Sequence, residues 1–202
     1  SKADIETDRF LRERLTAERP DYGWLSEETD DDHDRLARER IFVVDPIDGT
    51  RGFLEGNPNW CVSAAIVEGG RPQIAVLACP ALGRILSARA GEGAYVNGTR
   101  VASAPRSRVA TLTASKRLNG LLADRYGDRF DIHPFVPSLA YRMAMVATGE
   151  IDGAYAHGGS HEWDLAAADL ILSETGGTLS DVEGRALVYN APQIRMPALV
   201  AA

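Results

Sequence analysis

Apolar and polar positions follow two different rhythms along this chain, and the change between them divides it. Over residues 4–19, Ile5, Leu11 and Leu15 make a partial helical stripe that Asp4 can cap and Pro20 stops. Tyr22-Gly23-Trp24-Leu25-Ser26 then reads as a short extended piece leading into Glu27-Glu28. The polar run 29–39 predicts an exposed loop or frayed helix. Short apolar runs follow at 41–44, 60–67, 73–79, 84–90 and 94–96. Glu68-Gly69-Gly70-Arg71 and Gly91-Glu92-Gly93 punctuate that series as hairpin turns do. The first half is thus one helix and a meandering, mainly antiparallel sheet.

The second half alternates instead. Strands are expected at 109–114, 130–135, 151–156 and 197–201, and helices at 117–125, 138–149 and 162–175. Leu139, Met143, Val146 and Ala147 share one side of the middle helix, which Gly149 ends, and Gly176-Gly177 close the last one. That order predicts an α/β layer. The boundary falls in the Ser/Pro/Arg-rich link near 100–108, giving an α+β subdomain over 1–105 and an α/β subdomain over 106–202.

Composition narrows the partners. With 202 residues and 45% apolar content the chain can bury a sizeable core. No run approaches the roughly 18 apolar residues of a membrane span, and no basic segment precedes an apolar leader. Cys61 and Cys79, on separate expected strands, read as buried reduced thiols, so the expected location is cytoplasmic. The net charge of −7 and the run Asp30, Asp31, Asp32, Asp34 argue against a nucleic-acid polymer as partner. His33, His133, His157 and His161 show no metal-ligand spacing.

Asp45-Pro46-Ile47-Asp48-Gly49-Thr50 carries the chemistry. Two carboxylates three residues apart after a buried strand repel each other unless a cation compensates them. Glu27, Asp45 and Asp48 all lie at strand ends, where side chains converge, and the Ile47 carbonyl should point to the same ion. Hard oxygen donors without Cys or His suit Mg²⁺ or Mn²⁺ rather than Zn²⁺. Asp164, opening the helix at 162–175, adds a distant carboxylate of the kind a two-metal centre needs, with Ser160 as that helix's cap. The Gly49 and Thr50 amides are placed to hold a phosphate, Thr50 to orient an attacking water, and Asp8 to take its proton. Each assignment has a plainer counterpart: a capped turn at 45–50, a helix-dipole carboxylate at Asp164, a solvated carboxylate at Asp8.

In chain order, Ser26-Glu27-Glu28, the segment 45–50, Trp163-Asp164, Ala166-Ala167-Ala168 and Gly176-Gly177 resemble the inositol monophosphatase superfamily of magnesium-dependent, lithium-sensitive phosphomonoesterases. The resemblance implies a layered αβαβα sandwich of the sugar-phosphatase type and a homodimer. It implies two or three Mg²⁺ ions, replaceable by Mn²⁺, held by Glu27, Asp45, Ile47, Asp48 and Asp164. The catalytic set would be Asp8, Glu27 and Thr50, and the substrate a small phosphorylated metabolite contacting Gly49, Thr50, Arg51, Arg142, Ser160 and Asp164. Thr50-Arg51-Gly52-Phe53-Leu54 and Glu162 lean toward the 3′(2′),5′-bisphosphate nucleotidase branch. Arg51 and Arg142 are candidate cations for a second phosphate, or else surface arginines. The expected reaction is in-line attack of a metal-activated water on 3′(2′)-phosphoadenosine 5′-phosphate, giving AMP. Inositol-1-phosphate, histidinol phosphate and fructose bisphosphate are the alternative substrates, and a metabolite-binding pseudoenzyme is the non-catalytic one. The chain is shorter than typical members, the family's first helix being expected ahead of Ser1, and Pro137-Ser138 stands where Gly-Ser is usual.

Overall fold

The computed structural model describes residues 1–102, 110–126 and 129–202. Helix α1 (Lys2–Glu18) precedes strand β1 (Gly23–Ser26), a 3₁₀ turn at Asp34–Ala37, and β2 (Arg40–Asp48). Helix α2 (Thr50–Leu54) follows almost at once, then β3 (Cys61–Glu68), β4 (Arg71–Cys79), β5 (Arg84–Arg89), β6 (Gly93–Val96) and β7 (Thr99–Arg100). These strands form one seven-stranded sheet in sequence order. Its pairs are antiparallel except for β1 beside β2.

The rest of the chain builds a second layer. It runs β8 (Ala110–Thr113), α3 (Lys116–Tyr126), β9 (Phe130–Ile132), α4 (Leu139–Ala147), β10 (Gly153–Ala156), α5 (Ala166–Ser173), β11 (Leu179–Asp181) and β12 (Leu199–Ala201). The five strands order as β11-β12-β10-β8-β9. β8 is parallel to β9 and β10, and β12 antiparallel to both its neighbours.

Helices α4 and α5 lie between the sheets, α5 against β3, β4, β5 and β11, and α4 against β3 and β10. Helix α1 packs on β2 and α3 on β9, which completes an αβαβα stack. Burial follows from these positions. Strand β3 alternates buried and half-buried residues along its whole length, the period-2 pattern of a sheet with one covered face. Helix α5 buries Ala166, Ala167, Ala168, Leu170, Ile171 and Leu172, an apolar surface nearly all round, as a helix covered on both sides must. One continuous core runs from Leu25, Leu77 and Leu86 in the first sheet through Ile171 and Leu172 to Leu199 in the second. No helix among the described residues is long and apolar enough to cross a membrane.

Several expected elements change on folding. The helix expected over 162–175 divides into a 3₁₀ turn, Glu162–Asp164, and α5 from Ala166. Leu165, with φ −128 and ψ −36, marks the break. Within the polar run 29–39, Arg35 is only 1% exposed and anchors the 3₁₀ turn instead of facing solvent. β11, at three residues, is too short to leave a periodic signature. The expected subdomain boundary between 105 and 106, and Val109 at the start of an expected strand, lie outside the described residues.

Candidate metal centre and active site

A bulge in β2 builds the site. Asp45 sits opposite Ser63 and Asp48 opposite Cys61, so β2 takes three steps where β3 takes two. Residues three apart on a regular strand point to opposite faces; one extra residue cancels that alternation and returns both carboxylates to one side. Pro46 has no N–H to give a ladder and is tolerated on an inner strand because it falls within the bulge. Asp45 Oδ1 accepts the Ile47 amide at 3.0 Å, which fixes the turn from within.

Asp164 arrives from the other half of the chain. The carbonyl of its neighbour Trp163 accepts the Ser63 hydroxyl of β3 at 3.2 Å, and Asp164 Oδ2 accepts the His161 amide at 2.7 Å. Asp45, Asp48 and Asp164 thereby each offer an oxygen within 4.8 Å of the other two. Asp45 is 2% and Asp48 5% exposed. Burial, then the charges of Asp48, Glu27 and Asp164, hold the Asp45 carboxyl well above the usual carboxylate range. Burial and Asp48 push Asp164 up to about 7. Asp48 is raised by burial even though it accepts from the Ser138 hydroxyl, the Leu139 amide at 3.1 Å and the Ala140 amide at 2.6 Å. Two buried carboxyls and one half-buried, which resist ionisation together and have only oxygen to offer, fit a hard divalent cation.

The other expected ligands lie around this cluster. Glu27 follows β1, its amide donating to the Val44 carbonyl at 3.4 Å. Its carboxyl is exposed at the rim and meets that of Asp45, outside the tight group of three. The Ile47 carbonyl accepts the Thr50 hydroxyl at 2.9 Å. Gly49 caps α2 with φ +91, and a Cβ there would lie 3.0 Å from the Ser138 amide nitrogen, so the position admits only glycine without strain. The Gly49–Thr50 peptide thus passes directly beneath the start of α4.

Two expectations are corrected. The carboxylate that meets the Thr50 hydroxyl is Asp4, at 3.1 Å, and not Asp8. Asp8 accepts instead from the Ser26 hydroxyl and from Thr29 Oγ1, the latter at 3.0 Å, and so holds the segment on either side of Glu27. Asp4 and Asp8 lie one turn apart on the buried face of α1, and the docking of α1 on β2 decides which of them reaches Thr50. Ser160 does not cap the following turn either. Its hydroxyl is buried without a hydrogen-bond partner among the described residues, and Asp164 itself satisfies the His161 amide.

The two arginines differ. Arg51 is exposed on α2. Arg142, on α4, is 6% exposed, stacks over Phe135 at 5.5 Å and has an Nε without a partner among the described residues. Burial lowers its pKa and the nearby Asp48 charge opposes that effect. Ser138, which donates to Asp48 and accepts the Tyr141 amide at 3.0 Å, is a site residue that no motif in the sequence marks.

Comparison with known proteins agrees with this geometry. The sequence pattern of the inositol monophosphatase family matches residues 1–201. The chain is 31% identical over 209 residues to inositol monophosphatase 2 of Saccharomyces cerevisiae, covering 94% of this chain and 70% of that protein. Over 197 residues it is 34% identical to a histidinol-phosphatase of Mycobacterium tuberculosis, covering 90% and 74%. The extragenic suppressor protein SuhB of Bartonella henselae superposes on it with a TM-score of 0.81 at 28% identity, over 100% of this chain and 82% of that one. With the family pattern matching residues 1–201 and these relatives matching 90% or more of it, the chain belongs to the inositol monophosphatase family of phosphatases.

Proposed function

We propose that the chain hydrolyses a small phosphate monoester with Mg²⁺ as its cation, on one carrying observation: Asp45, Asp48 and Asp164 converge from opposite halves of the chain. Asp45, Asp48 and Asp164 would hold the cation, with Glu27 from the rim and the Ile47 carbonyl completing the set. Mn²⁺ satisfies the same oxygen donors. When bound, the cation supplies charge to the phosphate oxygens and lowers the pKa of the attacking water. The first amides of α2, at Gly49 and Thr50, have no acceptor within their own helix and face the phosphate. The Thr50 hydroxyl orients the water, and Asp4, bonded to that hydroxyl, receives the proton.

For the substrate, the relatives named inositol monophosphatase and histidinol-phosphatase support a polyol or amino-alcohol monophosphate. The buried, incompletely bonded Arg142 favours a second reading, a doubly phosphorylated nucleotide such as adenosine 3′,5′-bisphosphate. Phosphate release from inositol-1-phosphate, histidinol phosphate, fructose bisphosphate and adenosine 3′,5′-bisphosphate, with and without lithium, separates these. Loss of Arg142 should cut kcat/KM for the bisphosphate far more than for the monophosphates. Asp45→Asn should lower cation-dependent turnover by roughly a hundredfold or more while the circular dichroism spectrum stays unchanged. Turnover retained in that variant removes the proposed centre. The buried thiols Cys61 and Cys79 support a reducing, cytoplasmic location. Sedimentation tests the homodimer that the family suggests.

A further inference from the structure

A buried ionic chain lies outside the centre just described and connects two of its ligand-bearing segments. Arg35, 1% exposed, donates from Nε to Asp31 Oδ1 at 3.0 Å and from Nη2 to Asp31 Oδ2 at 2.7 Å. The same guanidinium donates from Nη1 to Asn190 Oδ1 at 2.8 Å and from Nη2 to the Ala191 carbonyl at 2.9 Å. On the far side of that peptide, Glu162 is 0% exposed and accepts the Asn190 amide at 2.7 Å and the Ala191 amide at 3.1 Å. Asn190 takes φ +57, a conformation asparagine tolerates, which lets one short stretch face a cation with its acceptors and an anion with its donors.

The ends of this chain matter. Asp31 lies in the loop that runs from Glu27 to the 3₁₀ turn at Asp34–Ala37, and Glu162 occupies the same 3₁₀ turn as Asp164. Burying two full charges costs several kcal/mol each unless every donor and acceptor is met. A hydrophobic contact would anchor the loop as firmly, so stability alone gives little reason for the arrangement. A planar fork fixed at both ends defines distance and angle in a way an apolar contact does not.

We propose that Arg35, through Asn190 and Glu162, is a positioning residue that sets the spacing between Glu27 and Asp164 and thereby the cation affinity of the centre. It touches neither ion nor substrate. The proposal rests on the cation-dependent reading above. Gly23 reinforces it: a Cβ there would come 3.0 Å from Arg35 Cα, so β1, which leads to Glu27, is packed hard against the anchor.

The test measures the cation concentration that gives half the maximal rise in melting temperature, for Mg²⁺ and for Mn²⁺, alongside cation titrations of phosphate release. Arg35→Met should raise both midpoints roughly tenfold or more, in the range found when partners that orient metal ligands are removed. Arg35→Lys keeps the charge, loses the fork and should recover only part of the affinity. Asn190→Gly removes the side-chain link while accepting the positive φ, and should raise the midpoints several-fold even if Arg35→Met fails to fold. Leu86→Ala, a core truncation in β5, serves as the control for simple destabilisation and should leave the midpoints unchanged. Unaltered midpoints in Asn190→Gly, or an equal shift in Leu86→Ala, overturn the positioning role. If the unsubstituted protein itself shows no rise with either cation, the cation-dependent reading fails and this inference falls with it.

Discussion

The Thr50 hydroxyl stands between two acceptors, the Ile47 carbonyl beside the acidic cluster and the Asp4 carboxylate on α1. On the proposed mechanism, a proton leaving a water at Thr50 would pass to Asp4, the carboxylate bonded to that hydroxyl. Asp4→Asn should depress kcat by about two orders of magnitude, the usual scale of a general-base loss, with KM little changed. Asp8→Asn should instead cost about 1 kcal/mol of stability, because the Ser26 and Thr29 hydroxyls lose an acceptor. At saturating cation its kcat should stay within roughly threefold of the unsubstituted enzyme. Equal kinetic losses in the two variants would contradict this division. Asp45, Asp48 and Asp164 could be read from the chain because buried carboxylates beside proline, glycine and a helix start are costly unless used. Asp4 could not be told from Asp8, since both occupy one helical face and only the seating of α1 separates them.

Helix α4 is the element that turns a pair of strand-end carboxylates into a defined centre. Its first turn donates to Asp48 through the Ser138 hydroxyl and the Leu139 and Ala140 amides, and the chain of α2 passes beneath it at Gly49. Gly49→Ala should lose about 1–2 kcal/mol from backbone conformation alone. It should lose more from displacement of Ser138, and activity should fall with it. Gly56→Ala, with φ +74 and nothing within 4 Å of the added Cβ, should show only the conformational loss. Urea unfolding of the two variants isolates the close approach; equal losses would mean that α4 yields freely. The periodicities gave most strands and α4 their places, because covered faces impose periods of two and 3.6. They missed the bulge in β2 and the break at Leu165, where hydrogen bonds across distant segments override local preference. The turn around Arg35 was hidden for a related reason: a charged residue advertises solvent until its partners are known.

At the scale of the whole molecule, the acidic centre is a load on the fold that the proposed cation would relieve. A carboxyl whose pKa rises on folding contributes stability below its unfolded value, and that contribution is lost as pH climbs to the folded value. For Asp164 the interval runs from about 4 to about 7, and Asp45 and Asp48 shift in the same direction. The melting temperature of the cation-free protein should therefore fall between pH 4 and 7. The gain on adding Mg²⁺ or Mn²⁺ should grow across the same interval. Asp169, raised to about 6 by burial despite the Tyr189 hydroxyl, acts with the same sign at a distance from the centre. A residual slope should therefore persist at saturating cation. Calorimetry over that range checks both parts, and a cation gain independent of pH would contradict the linkage.

Asp164 is translated long after Asp45 and Asp48, and its turn is held in place by Ser63 behind it. A chain cut short before Asp164 lacks one of the three carboxylates, so the complete set exists only once both halves have folded together. The proposed cation would therefore reward a finished molecule.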